Sequence, residues 1–224
     1  GMVCGHLKDI TERNKVLHPE EMGELLDYLA SGIGGLTNPK KLSDTFKSVK
    51  NKPLHQDTIG RYLSYFEDSF LVSKALRYDV KGKKYISTPS KYYFTDLGLR
   101  NAKLNFRQYE ETHIMENVIY NELCSRGFSV DVGVVEQTVY GEGKKKSQKQ
   151  LEVDFVCKKQ NKPIYIQVSY LLAGEETIER EFKPLKNIQD NYPKYVITMD
   201  DVDMSHDGII HLNLIDFLMD NEVI

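Results

Sequence analysis

The sequence predicts an α+β protein, in which a helical N-terminal part that ends in a β-hairpin precedes a three-layer α/β part. Three observations support this fold class. Apolar residues recur at helical spacing in three short segments, two alternating segments flank a basic turn at 81–84, and the second half follows an α-β-β-β-α-β order. Because 224 residues exceed the usual size of one domain, we expect two domains, over residues 1–104 and 105–224.

The first part contains three predicted helices and a hairpin. Residues 19–30 place apolar side chains on one helical stripe, and Gly32 follows as a stop signal. Asn38 before Pro39 is a start signal for a helix that reaches residue 49, and residues 56–69 form a third amphipathic helix. Three short helices followed by two strands with a basic turn are the order of a winged helix.

The charge of the chain is unevenly distributed. Residues 40–91 contain twelve Lys and Arg against five acids, a net charge of +7, whereas the rest of the chain carries −10. A basic segment joined to an acidic one is typical of a protein with a polyanion-binding half. Arg61 lies among acids on the outer face of the third helix, which favours contact with the DNA backbone over reading of bases. The candidate nucleic-acid residues are Lys40, Lys41, Lys47, Lys50, Lys52, Arg61, Lys81, Lys83 and Lys84. The alternative is that these lysines are solvated and the winged helix only packs against neighbouring domains.

The second part alternates helices with strands. Its helices are predicted at 112–126, at 176–189 and from residue 214, and its strands at 128–135, 151–158, 163–170, 194–199 and 209–212. A basic loop is expected at 141–150. This order predicts a three-layer α/β domain.

Polar residues on two of these strands form the candidate site. Strand alternation places Glu152 and Asp154 on one face, and Gln167 and Ser169 on one face of the next strand. Glu116 projects from the edge of the preceding helix stripe. Two carboxylates and a helix glutamate can hold Mg²⁺ or Mn²⁺ and activate water for phosphodiester hydrolysis, while a lysine stabilises the transition state. Here the second acid is Gln167 and the lysine is Ser169. The alternative is that Glu152 and Asp154 are solvated strand residues.

Seven segments in order carry a resemblance to a known family: 6–10 (HLKDI), 91–101 (KYYFTDLGLRN), 115–118 (MENV), 151–156 (LEVDFV), 166–170 (IQVSY), 180–182 (REF) and 190–194 (DNYPK). They resemble the C-terminal region of prokaryotic AAA-type ATP-binding proteins. That resemblance implies a winged helix followed by a restriction-endonuclease-like domain of the PD-(D/E)xK type, with an ATPase domain ahead of both. Glu116, Asp154 and Gln167 are the metal-facing positions it implies, with Glu152 and Ser169 beside them.

These observations lead to three functional hypotheses. The leading one is a non-catalytic nucleic-acid-associated module of an AAA-type ATP-binding protein. This module would contact the sugar-phosphate backbone of duplex DNA. The second is an active Mg²⁺- or Mn²⁺-dependent nuclease with a relocated lysine, Lys149 or Lys158. The third is a scaffold that couples the ATPase domain to a partner.

Several classes are excluded or disfavoured by the sequence. No Gly-x-x-x-x-Gly-Lys-Ser/Thr loop occurs, so no ATP site is expected within the chain. No apolar run approaches the length of about 18 residues that spans a membrane. Three widely spaced cysteines match neither a zinc site nor a disulfide framework, and we therefore expect a cytoplasmic protein.

Overall fold

The computed structural model describes residues 2–50, 54–108, 110–140, 146–220, 222 and 224, with the backbone only for residues 2–4, 6, 50, 140 and 146. Over these residues the chain is a mixed α+β protein with eight helices and seven strands. The helices are α1 (Met2–Arg13), α2 (Pro19–Ser31), α3 (Pro39–Lys50), α4 (Gln56–Asp68), α5 (Leu97–Lys103), α6 (Glu111–Ser125), α7 (Glu175–Lys186) and α8 (Leu214–Met219). The strands are β1 (Val72–Asp79), β2 (Lys84–Phe94), β3 (Ser129–Tyr140), β4 (Lys146–Lys159), β5 (Lys162–Val168), β6 (Lys194–Thr198) and β7 (Ile210–Asn213).

The predicted helices and strands are confirmed, with boundaries that shift by a few residues. Two helices were not predicted, α1 and the seven-residue α5. Asp96 begins α5, since its side chain accepts a hydrogen bond from the backbone nitrogen of Leu99 at 3.1 Å. The expected basic loop at 141–150 is shorter than predicted, because β3 continues to Tyr140 and β4 already begins at Lys146. Residues 141–145 lie outside the described part of the chain.

All seven described strands belong to one mixed sheet in the order β2-β1-β3-β4-β5-β6-β7. The pairs β3–β4 and β4–β5 are antiparallel, and the pairs β1–β3, β5–β6 and β6–β7 are parallel. The predicted hairpin is thus not an isolated pair of strands, since its first strand pairs directly with β3. The sequence pattern of β1 and β2 did not indicate this partner.

Two compact units make up the chain, and each is discontinuous in sequence. The first contains residues 1–75 and 88–117, and the second contains residues 76–87 and 118–224. The tip of the hairpin therefore belongs to the second unit, while the ends of β1 and β2 that lie far from the tip belong to the first. Glu116 is also part of the first unit.

Each unit has its own apolar core. In the first unit, α2 and α4 each bury one apolar face, which includes Leu25 and Leu29 of α2 and Ile59 and Phe66 of α4. In the second unit, α7 buries Phe182 and Leu185, among other residues, in a cluster shared with strands of the sheet. The burial of Phe182 and Leu185 holds α7 against the sheet. It thereby also fixes the position of Glu181, the polar residue that precedes Phe182. No helix in the described residues is long and apolar enough to cross a membrane.

Candidate functional site

Asp154 and Gln167 are brought together at the centre of the sheet in the second unit. Both side chains are more than nine-tenths buried. The Oδ2 atom of Asp154 accepts a hydrogen bond from the backbone nitrogen of Val168 at 2.8 Å. The backbone nitrogen of Asp154 donates to Oε1 of Gln167 at 3.4 Å. The carboxylate and the amide thus join β4 to β5 across the point where the antiparallel ladder ends.

The other end of the Gln167 amide reaches a residue that the site prediction missed. Nε2 of Gln167 donates to Oε2 of Glu181 at 3.1 Å. Glu181 also accepts from Arg180, whose Nη2 lies 2.8 Å from Oε1. Glu181 directly precedes the buried Phe182 on α7, so the helix packing directs its carboxylate to the sheet. The signal for it in the sequence is the segment 180–182, one of the seven that carry the family resemblance.

The amide orientation of Gln167 follows from these two contacts. Oε1 faces a donor, the backbone nitrogen of Asp154, and Nε2 faces an acceptor, the carboxylate of Glu181. Exchanging the two atoms would place two donors together at one end and two acceptors at the other. Gln167 therefore acts as a neutral link between a strand and a helix, a task that a carboxylate at this position could not perform beside Glu181.

The regular alternation that predicts one face for Glu152 and Asp154 is interrupted between Val153 and Val156, in the stretch that contains Asp154. Val153 and Val156 both lie in the buried cluster beneath α7, although they are three residues apart. The register of β4 against β3 shifts at the same place, between Asp131 and Gly133. A bulge of this kind changes which side chains share a face. Glu152 is half-buried and pairs with Val134 across the ladder.

Ser169, the residue that stands where the site chemistry calls for a lysine, is buried just beyond the end of β5. Its hydroxyl donates to the backbone oxygen of Leu171 at 3.2 Å. This bond shapes the turn after the strand. A hydroxyl group cannot supply the positive charge that a lysine would bring to a phosphodiesterase site.

Glu116 is held by partners within the first unit. Its Oε1 atom lies 2.9 Å from Nζ of Lys91 and accepts a hydrogen bond from the hydroxyl of Tyr93. All three side chains are buried. The next residue, Asn117, exchanges two 2.8 Å hydrogen bonds with the backbone of Phe94. Two adjacent residues of α6 thus fasten this helix to the end of β2.

The two lysines considered as replacements for the missing one both lie on β4, several residues from Asp154 along the strand. Lys158 stands four residues after Asp154, which is about 13 Å along a strand. Its Nζ lies 3.3 Å from the centroid of the Tyr78 ring and 3.5 Å from the Tyr85 hydroxyl. Burial lowers the pKa of Lys158, although the neighbouring Asp131 acts in the opposite direction. Lys149 is exposed and lies five residues before Asp154 on the same strand.

The donor set around Asp154 does not fit a divalent metal. Within the described part of the chain, no three His, Cys, Asp or Glu side chains come together in a way that could hold an ion. Mg²⁺ prefers several oxygen ligands in octahedral geometry, and the amide nitrogen of Gln167 faces Glu181 instead. What the geometry supports is a hydrogen-bonded junction between β4, β5 and α7.

A second candidate surface lies in the first unit, on the outer side of α3 and α4. An open groove of about 770 Å³ is lined by Lys40, Gln56, Asp57, Gly60, Arg61, Ser64 and Tyr65, among other residues. A shallower groove of about 500 Å³ continues along α3 past Lys41 and Ser48 and shares Asn38 and Lys40 with the first. We refer to the two together as the α3–α4 groove.

The candidate nucleic-acid residues divide between the two units. Lys40, Lys41, Lys47 and Arg61 are exposed on α3 and α4. The hairpin lysines Lys81, Lys83 and Lys84 belong to the second unit, where Asp79 shapes their turn by accepting from two backbone nitrogens. The side chain of Lys50 and the whole of Lys52 lie outside the described residues.

Comparison with known proteins places the chain beside proteins of unknown role. Residues 6–110 match a family described as Domain of unknown function (DUF8612), and residues 111–217 match Domain of unknown function (DUF4143). The border between the two matches falls at the start of α6.

Two curated relatives have similar sequences. An "Uncharacterized protein" of Haemophilus influenzae is 33% identical over 95% of this chain and 49% of its own length. "Uncharacterized protein MJ1544" of Methanocaldococcus jannaschii is 30% identical over 87% of this chain and 42% of its own length. The chain thus spans about half the length of these relatives. The solved crystal structure of protein VC1899 from Vibrio cholerae covers 97% of this chain and 54% of its own, with 12% identity and a TM-score of 0.31.

Proposed function

We propose that this chain is a non-catalytic nucleic-acid-associated module, which contacts duplex DNA through the sugar-phosphate backbone. The observation that carries the proposal is the exposed set of cations on α3 and α4, with Lys40 and Arg61 in one groove. Neither of these two side chains forms an ion pair with a carboxylate of the described residues. Unpaired cations on one surface can replace the counterions of a polyanion.

The proposal also assigns the chain to a larger protein. The relatives are about twice as long as this chain, and the segments in the second half resemble the C-terminal region of AAA-type ATP-binding proteins. We propose that an ATPase domain accompanies the module in the same or a neighbouring protein. The nuclease-like strands would then serve as a scaffold, since Gln167 and Ser169 occupy the places of an acid and a lysine.

A DNA-binding titration at several salt concentrations tests the main proposal. The protein is titrated into a short fluorescent duplex at about 50 mM salt and then at higher concentrations, where backbone contacts weaken strongly. We expect binding that falls steeply with salt and changes little between duplexes of different sequence. Absence of binding at the lowest salt would refute the proposal. Strong dependence on sequence would contradict the backbone mode.

A cleavage assay separates a scaffold from a nuclease. Supercoiled plasmid is incubated with the protein and Mg²⁺ or Mn²⁺, beside an Asp154→Ala variant and a sample with chelator. We expect the same plasmid forms in all samples, because Asp154 and Gln167 are engaged in the junction between β4, β5 and α7. Nicking that requires both the metal and Asp154 would replace the scaffold by an active nuclease.

A further inference from the structure

The floor of the α3–α4 groove contains a glycine that the fold does not need. Gly60 lies in the middle of α4, between Gln56 and Ser64 on the outer face. A methyl group placed on its α-carbon would meet no atom within 4 Å other than its chain neighbours and the backbone of its own helix. Its φ angle is not in the left-handed region that favours glycine. Neither packing nor backbone conformation therefore explains a glycine here, although glycine weakens a helix relative to alanine.

The surroundings of Gly60 indicate what could approach it. Lys40, from the first turn of α3, and Arg61, from α4, line the same groove. Gln56 adds an uncharged donor one helical turn before the glycine, while the hydroxyl of Ser64 donates to the backbone oxygen of Gly60 at 3.2 Å. Two cations and a neutral donor beside a helix surface that bears no side chain suit a DNA phosphate, which offers only acceptors.

We propose that one strand of duplex DNA runs along the α3–α4 groove and that a single phosphate approaches the helix at Gly60, between Lys40 and Arg61. This inference rests on the proposed function and makes it specific. It places the main DNA contact in the first unit, and it gives the hairpin lysines of the second unit no main contact. Asp57 and Asp44 line the groove as well and oppose the anion, so they limit the affinity.

Four variants, all measured on the same duplex with the full chain, test the inference. Gly60→Leu adds a bulky side chain to the groove without changing the charge. It should weaken binding by about tenfold or more, because the leucine would occupy the space that the DNA phosphate needs beside the helix. Lys40→Ala/Arg61→Ala should lower the slope of log affinity against log salt by about one, since both side chains face the same phosphate and each phosphate contact contributes about 0.9. Lys162→Ala/Lys183→Ala removes the same charge from exposed sites in the second unit and serves as the matched control. Asp57→Asn should raise the affinity.

The outcomes separate this inference from the broader proposal. If the unaltered chain does not bind DNA, the proposed function itself fails. If it binds and Gly60→Leu binds equally well, DNA does not approach the helix at this position and the inference is wrong. Equal losses in the Lys40/Arg61 and Lys162/Lys183 pairs would show that only net charge matters, which also overturns the inference. A circular dichroism spectrum and a melting curve of Gly60→Leu confirm that a loss of binding does not reflect unfolding.

Discussion

The two candidate sites of this protein use their polar residues in opposite ways. In the junction around Asp154, the carboxylate and both ends of the Gln167 amide are bonded to backbone or to Glu181. In the α3–α4 groove, Lys40 and Arg61 are exposed and form no ion pair with the described carboxylates. Polar groups that satisfy one another in the interior stabilise a fold, whereas exposed cations that pair with no carboxylate remain available to an anionic ligand. The difference supports the proposal that α3 and α4 bind a ligand, while the junction between β4, β5 and α7 serves the fold.

The largest loss of stability is expected when the buried ion pair of the first unit, Lys91–Glu116, is broken. Lys91→Met removes the cation beside Glu116 and leaves a buried carboxylate, which should cost about 3–5 kcal/mol of unfolding free energy. Urea denaturation measures this loss. The double variant Lys91→Met/Glu116→Gln removes both charges and should recover much of the stability. If the single variant were as stable as the unaltered chain, Glu116 would not depend on Lys91.

Restoring an acid in the second unit tests the junction directly. Gln167→Glu replaces the amide donor to Glu181 by a carboxylate, so two like charges face each other and one hydrogen bond is lost. We expect a loss of about 1–3 kcal/mol at neutral pH, read from urea denaturation, and a partial recovery in acid, where carboxylates are protonated. Gln167→Met is the control, because it removes the hydrogen bonds and adds no charge. Recovery of the glutamate variant by Mn²⁺ alone would show that the position still forms a metal site.

Replacing Gly60 in the α3–α4 groove should change the stability of the protein as well as its binding. Gly60→Ala should raise the free energy of unfolding by about 1 kcal/mol, because alanine favours an exposed helix over glycine and the added methyl group meets no atom within 4 Å. Gly127→Ala is the matched control. It also adds its methyl group to open space, but at a φ of +83°, so it should lower the stability. A thermal melt of both variants compares them, and a destabilised Gly60→Ala would mean that the fold requires this glycine.

A buried histidine gives the smallest effect, a dependence of stability on pH. His211 is buried, accepts from the backbone nitrogen of Met204 at 3.3 Å and lies 2.7 Å from the hydroxyl of Thr198. Burial lowers its pKa, although Asp200 and Asp203 act in the opposite direction. The unfolded chain therefore binds a proton more readily than the folded one between the lowered pKa and the ordinary value of about 6.5.

Stability contributed by neutral His211 is consequently present above about pH 6.5 and is lost as the pH falls through the lowered pKa. Urea denaturation at a series of pH values from neutral to mildly acidic measures this slope. His211→Gln removes the titrating group and should flatten the slope within that window. An unchanged slope in the variant would assign the dependence to other residues.

Local patterns in the sequence were sufficient for most helices and strands. Asn38 before Pro39 predicted the start of α3, and the apolar stripe that includes Ile59 and Phe66 predicted α4, because start signals and helical periodicity depend only on near neighbours. The first helix of the chain and the short α5 were missed. The cap of α5 by Asp96 was visible, but a seven-residue helix offers few periodic positions.

Contacts between distant segments were beyond the reach of these patterns. No local signal shows that β1 pairs with β3, or that the tip of the hairpin belongs to the second unit. The same holds for Glu181, which meets Gln167 only because the buried stripe of α7 packs on the sheet. The shift of register near Asp154 depends on how β3 and β4 align, and alternation within one strand cannot reveal it.

The sequence by itself determined the elements, the uneven charge and the residues that depart from a phosphodiesterase pattern, because propensity, periodicity and residue chemistry are local properties. The tertiary structure decided what those residues contact. Burial and hydrogen bonding made Gln167 a link between β5 and α7, and made Glu116 a partner of Lys91. Exposure left Lys40 and Arg61 in an open groove beside Gly60. Whether a polar residue supports the fold or remains available for a ligand depends on its neighbours in space. Local sequence patterns do not show which residues those neighbours are.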